Sequence, residues 1–298
     1  MTGLVPLDKA EGELSRRAMA AAARLFGERH AGHAGTLDPL ATGVLPVLLG
    51  RACKLLPFLP QGKRYTAGVQ FGYCTDTADI TGRRVRENPK MPEESEILGI
   101  LPRFTGKIEQ IPPMYAAVKH GGRPLYEYAR AGRQVERRPR SVEIYALSLL
   151  EYDPVSMTAV LDVRCSGGTY VRTLCEDIAA ALGAAAALRS LRRTLSAGVG
   201  IDACYSQAQL EDMCAAGRLH EAVYSAEALF SHLERRTVPP EGETYYRNGG
   251  AIREDRLDGA LTGELYRAYS AGGAFLGLGG AVPAPDGPHL KSVWTEEL

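Results

Sequence analysis

The sequence predicts a mixed α/β domain followed by a small β-rich unit, and three observations predict it. Runs at 64–73 and 158–165 alternate apolar and polar residues with the period of half-buried strands. Alanine- and leucine-rich stretches between them, beginning with SRRAMAAAARLFGER at 15–29, have the composition of helices. Near Val238-Pro239-Pro240 the character changes, and the last sixty or so residues are short alternating runs around glycines.

In chain order, residues 15–29 read as a helix capped by Ser15 and stopped by HAGHAG at 30–35. VLPVLLG at 44–50 fits either a buried strand or a helical turn. RYTAGVQFGY places Tyr65, Ala67, Val69, Phe71 and Tyr73 on one strand face, and CTDTADITGRR follows as a polar loop. A helix is predicted near 92–104. The stretch from 106 to 135, with paired prolines, paired glycines and aromatics among basic residues, reads as a long irregular excursion. TAVLDVRC at 158–165 is a strand, Ser166-Gly167-Gly168 ends it, and 169–193 reads as helix-rich. Tyr170 and Arg172 thus fall at a strand–turn–helix junction, a common place for site residues. Ser206-x-x-Gln209 has the form of a capping box opening a further helix.

Composition excludes several classes of function. With 45% hydrophobic and 23% charged residues the chain is an ordinary globular protein, and no apolar run approaches the ~20 residues of a membrane span. The early acids in MTGLVPLDKAEGELS do not match an export signal. Six cysteines form no C-x-x-C pair and lie mostly in apolar segments, so they read as reduced core residues of a cytoplasmic protein. No clustered ligands suggest zinc. The net charge of zero conceals an asymmetry: residues 1–200 hold 27 Lys and Arg against 20 Asp and Glu, while 201–298 hold 8 against 15. The positive charge is densest at 119–140, where seven Lys and Arg meet two acids. That run fits a solvated loop or an anionic partner equally well.

Asp38, in HAGHAGTLDPLATG, is the acid that raises the question of chemistry. An aspartate-nucleophile phosphatase would place a second acid two residues on, and here the next residues are Pro39 and Leu40. P-loop, nucleophile-elbow and zinc-protease motifs are absent. Taken singly, Asp38 is an Asx turn, Tyr65 a core strand residue and Arg172 a surface charge at a helix start. A carboxylate beside an arginine would stay ionised at neutral pH, and aromatics with arginines could hold a base and phosphates. Spacing alone does not join them.

Several ordered motifs do. LDKAEG, HAGHAGTLDPLATGVLPVLLGRACK, KRYTAGVQFGYCTDTADITG, IEQIPPMYAAVKHGGRPLYEYAR, CSGGTYVRT and SLRR occur in sequence over residues 4–200, and together they resemble the bacterial tRNA pseudouridine-55 synthases, the TruB family. YYRNGGAIRE and FLGLGG in the tail resemble that family's small RNA-binding domain of the PUA type. The resemblance implies an α+β fold: a mixed-sheet catalytic domain over 1–236, with 109–140 as an excursion that clamps RNA, and a PUA-like domain over 238–298. It implies isomerisation of a T-loop uridine of tRNA to pseudouridine, with the base flipped out of its stack. Asp38 falls on the essential aspartate, Tyr65 on the tyrosine that stacks on the base and takes its C5 proton, and Arg172 on the arginine paired with the aspartate. His33 falls on a histidine that displaces loop stacking, Tyr170 and Leu191 on residues lining the base pocket, and Lys9 in a supporting motif counted with the substrate-binding residues. No metal or organic cofactor is implied, because no electrons are transferred. The expected partner is the T-arm of tRNA, the expected state a cytoplasmic monomer without an obligate protein partner. The sequence departs from the pattern at Ala10, where proline follows the lysine, at Leu14, where a small hydroxyl is common, and at Gly167, where a lysine often precedes the GTY triplet. Two rivals share the scaffold: a tRNA chaperone without chemistry, disfavoured by Asp38, Tyr65 and Arg172 together, and a guide-RNA-dependent subunit, disfavoured by the absence of a long basic extension.

Overall fold

A computed structural model describes residues 1–296; the last two positions of the predicted C-terminal unit lie outside the described residues. The chain opens with β1 (Gly3–Lys9), α1 (Ser15–Leu25), β2 (Ala31–His33), β3 (Thr42–Leu49) and β4 (Lys63–Phe71). A two-stranded ribbon of β5 (Tyr73–Thr75) and β6 (Arg84–Glu87) precedes α2 (Glu94–Ile100) and β7 (Gly106–Gln110). The excursion holds the hairpin β8 (Lys119–His120) and β9 (Arg123–Pro124), with α3 (Leu125–Arg130). Then come β10 (Arg140–Asp153), β11 (Thr158–Cys165), α4 (Val171–Ala181), β12 (Ala186–Ser196), β13 (Val199–Gly200), α5 (Gln207–Ala215) and α6 (Ala226–Leu229).

One mixed sheet organises this part, in the order β1-β3-β12-β4-β11-β10-β7, with β2 beside β3 and β13 beside β12. Its pairs are antiparallel except β3 with β12, which run parallel through Thr42–Arg192 and Gly43–Arg193. At that seam the backbones nearly touch. Gly43 has φ +99°, and a Cβ there would lie 2.2 Å from the Arg193 carbonyl oxygen, so only glycine fits. β3 is buried on both faces, which explains its unbroken apolar run and settles VLPVLLG as a strand. One core packs α2 and α4 against Val69, Phe71, Leu161 and Val163; a second packs α1 and α5 against Val5, Leu7, Leu45 and Val47.

β14 (Arg235–Val238), α7 (Pro240–Arg247), β15 (Ala251–Arg253), β16 (Leu265–Ser270), β17 (Phe275–Val282) and β18 (His289–Thr295) form a separate five-stranded sheet in the order β14-β16-β17-β18-β15. It has its own core of Val238, Tyr246, Ile252, Tyr266, Leu276 and Leu290. Leu278 and Trp294 leave it to pack with Leu48, Leu55 and Phe230 of the larger part, and Trp294 donates to the Arg51 carbonyl at 3.2 Å.

Four expectations need correction. Residues 186–193 are not helical: AAAALRSLRR is β12, at the centre of the sheet, where neighbours on both edges override alanine's helix preference. Ser15 does not cap α1. The cap position is Leu14, without a capping side chain, while Ser15 Oγ accepts from the Leu37 amide and donates to the Leu37 carbonyl, each at 2.9 Å. Tyr73 leaves the β4 face at Gly72 and starts β5. The cysteines are all free, but only Cys74, Cys165 and Cys175 are buried; Cys214 is exposed. The capping box of α5 is present, with Ser206 and Gln209 exchanging amide bonds at 3.2 and 2.8 Å.

Candidate active site

The loop carrying Asp38 leads into β3, and buried side chains hold its carbonyl groups from both sides. Lys9, fully buried, donates to the carbonyls of Ala10 (2.7 Å), Glu13 (2.8 Å) and Pro39 (3.4 Å). Arg193, also fully buried, donates to Val44 (2.7 Å), Gly35 (2.9 Å) and Thr36 (3.5 Å). Ser15 ties Leu37. A buried cation must be compensated, and these carbonyl dipoles do so while fixing the loop.

Arg172, on the first turn of α4 and 5% exposed in its side chain, grips Asp38 through two bonds: Nε to Oδ2 at 2.9 Å and Nη2 to Oδ1 at 3.2 Å. Its remaining donors reach the carbonyls of Thr77 (2.8 Å) and Tyr115 (2.9 Å), and Nη1 lies 3.6 Å from Asp79 Oδ2. Asp79 is itself held by Thr77 Oγ1 at 2.9 Å and by the Thr81 amide and hydroxyl at 3.0 and 2.5 Å. The guanidinium thus joins two carboxylates and two loops, a geometry that a planar fork permits and an ammonium does not.

Asp38 opens on a cavity of about 220 Å³, bounded by Leu37, Tyr65, Tyr115, Thr169, Tyr170 and Leu191 among others. This is below the ~300–1,000 Å³ of a drug-sized ligand site and nearer the scale of one planar ring. Tyr65, Val163 and Arg193 form one cross-strand row under it, Ala67, Leu161 and Leu191 the next. Gln110, at the end of β7, exchanges bonds of 3.0 and 3.3 Å with the amide and carbonyl of Tyr170, fixing the pocket's edge. Burial pushes the Asp38 carboxyl above its ordinary value; Arg172 counters this, Asp79 adds to it and Lys9 opposes it. Burial also raises the phenols of Tyr65 and Tyr170, so both remain neutral rings at neutral pH.

Of the sequence-predicted site residues, Asp38, Tyr65, Arg172, Tyr170 and Leu191 meet at this cavity. Lys9 does not. Its burial behind the loop and its three carbonyl partners make it a positioning residue, correcting its place among the substrate-binding residues. His33 stands on β2, outside the cavity's lining; burial first and Arg193 second push its imidazole below the ordinary value, leaving it neutral. Sequence reasoning missed Asp79, Arg193, Gln110, Tyr115 and Lys63 as members of the site. Asp79 carried a usable signal, an acid flanked by Thr77 and Thr81 before Gly82, but Gln110 and Arg193 carried none beyond their place in longer motifs.

Comparison with known proteins covers most of the chain. Residues 23–171 match the model of the TruB family pseudouridylate synthase N-terminal domain, and 172–234 match the tRNA pseudouridylate synthase B C-terminal domain. The tRNA pseudouridine synthase B of Chromohalobacter salexigens is 42% identical over 281 residues, covering 93% of this chain and 89% of that protein. The protein of the same name from Geotalea uraniireducens is 40% identical over 300 residues, covering 98% and 96%. The chain belongs to the TruB family. Among solved structures, a Cbf5-Nop10-Gar1 complex contains a chain that is 25% identical and superposes with a TM-score of 0.72, over 99% of this chain and 84% of that one. An H/ACA RNP bound to a substrate RNA containing 2'-deoxyuridine holds a chain with the same fold, at 22% identity and a TM-score of 0.71. In this TruB-family chain the two matched regions meet inside the cavity: the first supplies Asp38, Tyr65 and Tyr170, the second Arg172 and Leu191.

Proposed function

We infer that this chain isomerises uridine 55 in the T-loop of tRNA to pseudouridine; its relatives bear the name tRNA pseudouridine synthase B. The observation that carries the reading is the bidentate Arg172–Asp38 pair at the wall of a ring-sized cavity floored by Tyr65. The reaction breaks the C1′–N1 bond, turns the uracil and forms a C1′–C5 bond; C5 loses a proton and N1 gains one, so atoms and charge balance with no added reagent. A base within a folded loop must leave its stack to react, and Tyr65, Tyr170 and Leu191 replace the stacking it loses. Asp38 is the one carboxylate among the residues bounding the cavity, and it acts on the ribose–uracil unit as the bond breaks. Tyr65, kept as a phenol by burial, is better suited to ring contact than to generating a base, so its part in moving the C5 proton is subordinate. Lys9, Ser15 and Arg193 hold the Asp38 loop before substrate arrives, which lowers the cost of aiming the carboxylate.

The basic segment of 119–140 begins two residues after Ala117, which bounds the cavity, and ends at Arg140, whose charge acts on the Tyr170 phenol; it is suited to the phosphates of the T-arm. The chain acts in this reading as a monomer in the cytoplasm, without a protein partner; among the described residues no helix is long and apolar enough to cross a membrane. The test incubates the purified protein with unmodified tRNA transcript and maps pseudouridine at every position. Product confined to the T-loop uridine is expected; product elsewhere, or none, overturns the reading.

A further inference from the structure

Lys63 is a half-buried ammonium with no hydrogen bond or ion pair among the described residues. It begins β4 and lies on the same sheet face as Tyr65, two residues on, with Cys165 and Ser196 as its cross-strand neighbours. Behind it stands Arg193, which donates to the carbonyls of Val44, Gly35 and Thr36. Three neighbouring cations have functions inside the protein: Arg172 binds Asp38, while Lys9 and Arg193 hold the loop. Lys63 holds nothing.

Its position is shared by two cavities. One is the 220 Å³ pocket of Asp38. The other is an adjoining groove of about 790 Å³, walled by Leu56, Pro57, Pro60, Gly167 and Ala197, in which Lys63 is the one charged residue. Both cavities also border Gly168, so they meet at the Lys63–Gly168 rim. Gly35 lets the ammonium sit there. It has φ +89°, and a Cβ on it would lie 3.0 Å from Lys63 Nζ and 3.3 Å from Arg193 Nη1. Burial and Arg193 both push the Lys63 ammonium below its ordinary value, the reverse of what a carboxylate partner would do.

An unpaired cation at the rim between a base-sized pocket and a groove lacks an anion. We propose that Lys63 binds the phosphodiester that joins the flipped uridine to its neighbour, at the point where the RNA backbone passes from the pocket to the groove. The proposal rests on the functional reading above and adds a substrate contact to it. Lys63 then serves twice: it fixes the flipped nucleotide's backbone, and it gives binding a charge contact specific to the flipped state.

The test uses full-length protein and unmodified tRNA assembled with a single neutral methylphosphonate linkage on one side or the other of the target uridine. On all-phosphate tRNA, Lys63→Met is expected to raise KM about tenfold, with the smaller share of the loss in kcat, as for one charge-assisted contact. Lys63→Arg should recover most of it. The slope of log affinity against log salt should flatten by ~0.7–0.9, the value of a single phosphate contact. The neutral linkage at one of the two positions should raise KM similarly for the wild type and add nothing for Lys63→Met. Melting of Lys63→Met is expected at or above the wild-type temperature, since an unpaired half-buried charge is removed. The proposal is overturned if the losses multiply at both linkages, or if Lys63→Met keeps the wild-type KM and salt slope. A wild-type protein that makes no pseudouridine on all-phosphate tRNA would instead refute the functional reading, and the binding half of the cycle would still decide the phosphate contact.

Discussion

At the scale of single residues, the site depends on how one guanidinium is divided. Arg172 gives two bonds to Asp38, one each to the Thr77 and Tyr115 carbonyls, and a longer ion pair to Asp79. Burial already raises the Asp38 carboxyl, and Arg172 is the chief influence in the opposite direction. The sign of a pH effect follows. Activity needs the ionised carboxylate, so it is lost as pH falls through the pKa of Asp38, and removing the arginine lifts that pKa further. Arg172→Met is expected to lower kcat at neutral pH by at least ~100-fold and to move the acid limb of the pH–rate profile to higher pH. A limb that stays in place would mean that Arg172 steadies the loops without setting the charge of Asp38.

At the scale of elements, two short loops and one strand assemble the site. Asp79 is aimed by the turn at 75–82, in which Ala78 adopts φ 63° while its carbonyl accepts the Leu188 amide of β12 at 3.0 Å. A left-handed alanine costs ~1–2 kcal/mol, and glycine's extra freedom in the unfolded chain returns ~0.5–1 kcal/mol of that. Ala78→Gly should therefore stabilise the fold by roughly 0.5 kcal/mol in denaturant unfolding, and a destabilised variant would show that the turn is not strained. The same elements show what sequence can convey. The alternations of β4 and β11, the capping box of α5 and the Gly turn before Tyr170 were legible, because each follows from local periodicity or local hydrogen bonding. The alanine run of β12 was not, since its strand state is imposed by β3 and β4, more than a hundred residues away in sequence. Nor was the role of Ser15, whose partner Leu37 is 22 residues distant. Asp38, Tyr65 and Arg172 became one site through the resemblance of whole motifs; their separate neighbourhoods described only a turn, a strand and a helix start.

At the scale of the whole molecule, charge and architecture divide the work. Three arginines of the C-terminal unit are engaged within the protein: Arg247 with Glu243 at 3.1 Å, Arg253 with Asp255 at 2.8 Å and Arg256 with Glu241 at 2.6 Å. The densest excess of positive charge lies instead along 119–140, seven Lys and Arg against two acids. Binding to any tRNA should weaken steeply as salt is raised, and charge-removing substitutions within 119–140 should flatten that slope more than substitutions of Arg247, Arg253 or Arg256, as read by equilibrium binding at several ionic strengths. A response insensitive to salt would remove the phosphate-contact argument. The central claim, that a single carboxylate performs the chemistry in a pocket that other residues build, is tested most directly by single-turnover kinetics of Asp38→Asn on unmodified tRNA, with affinity measured in parallel. The account predicts no detectable pseudouridine and a dissociation constant within a few-fold of wild type. Turnover that survives the substitution, or tRNA binding lost along with it, would contradict the account.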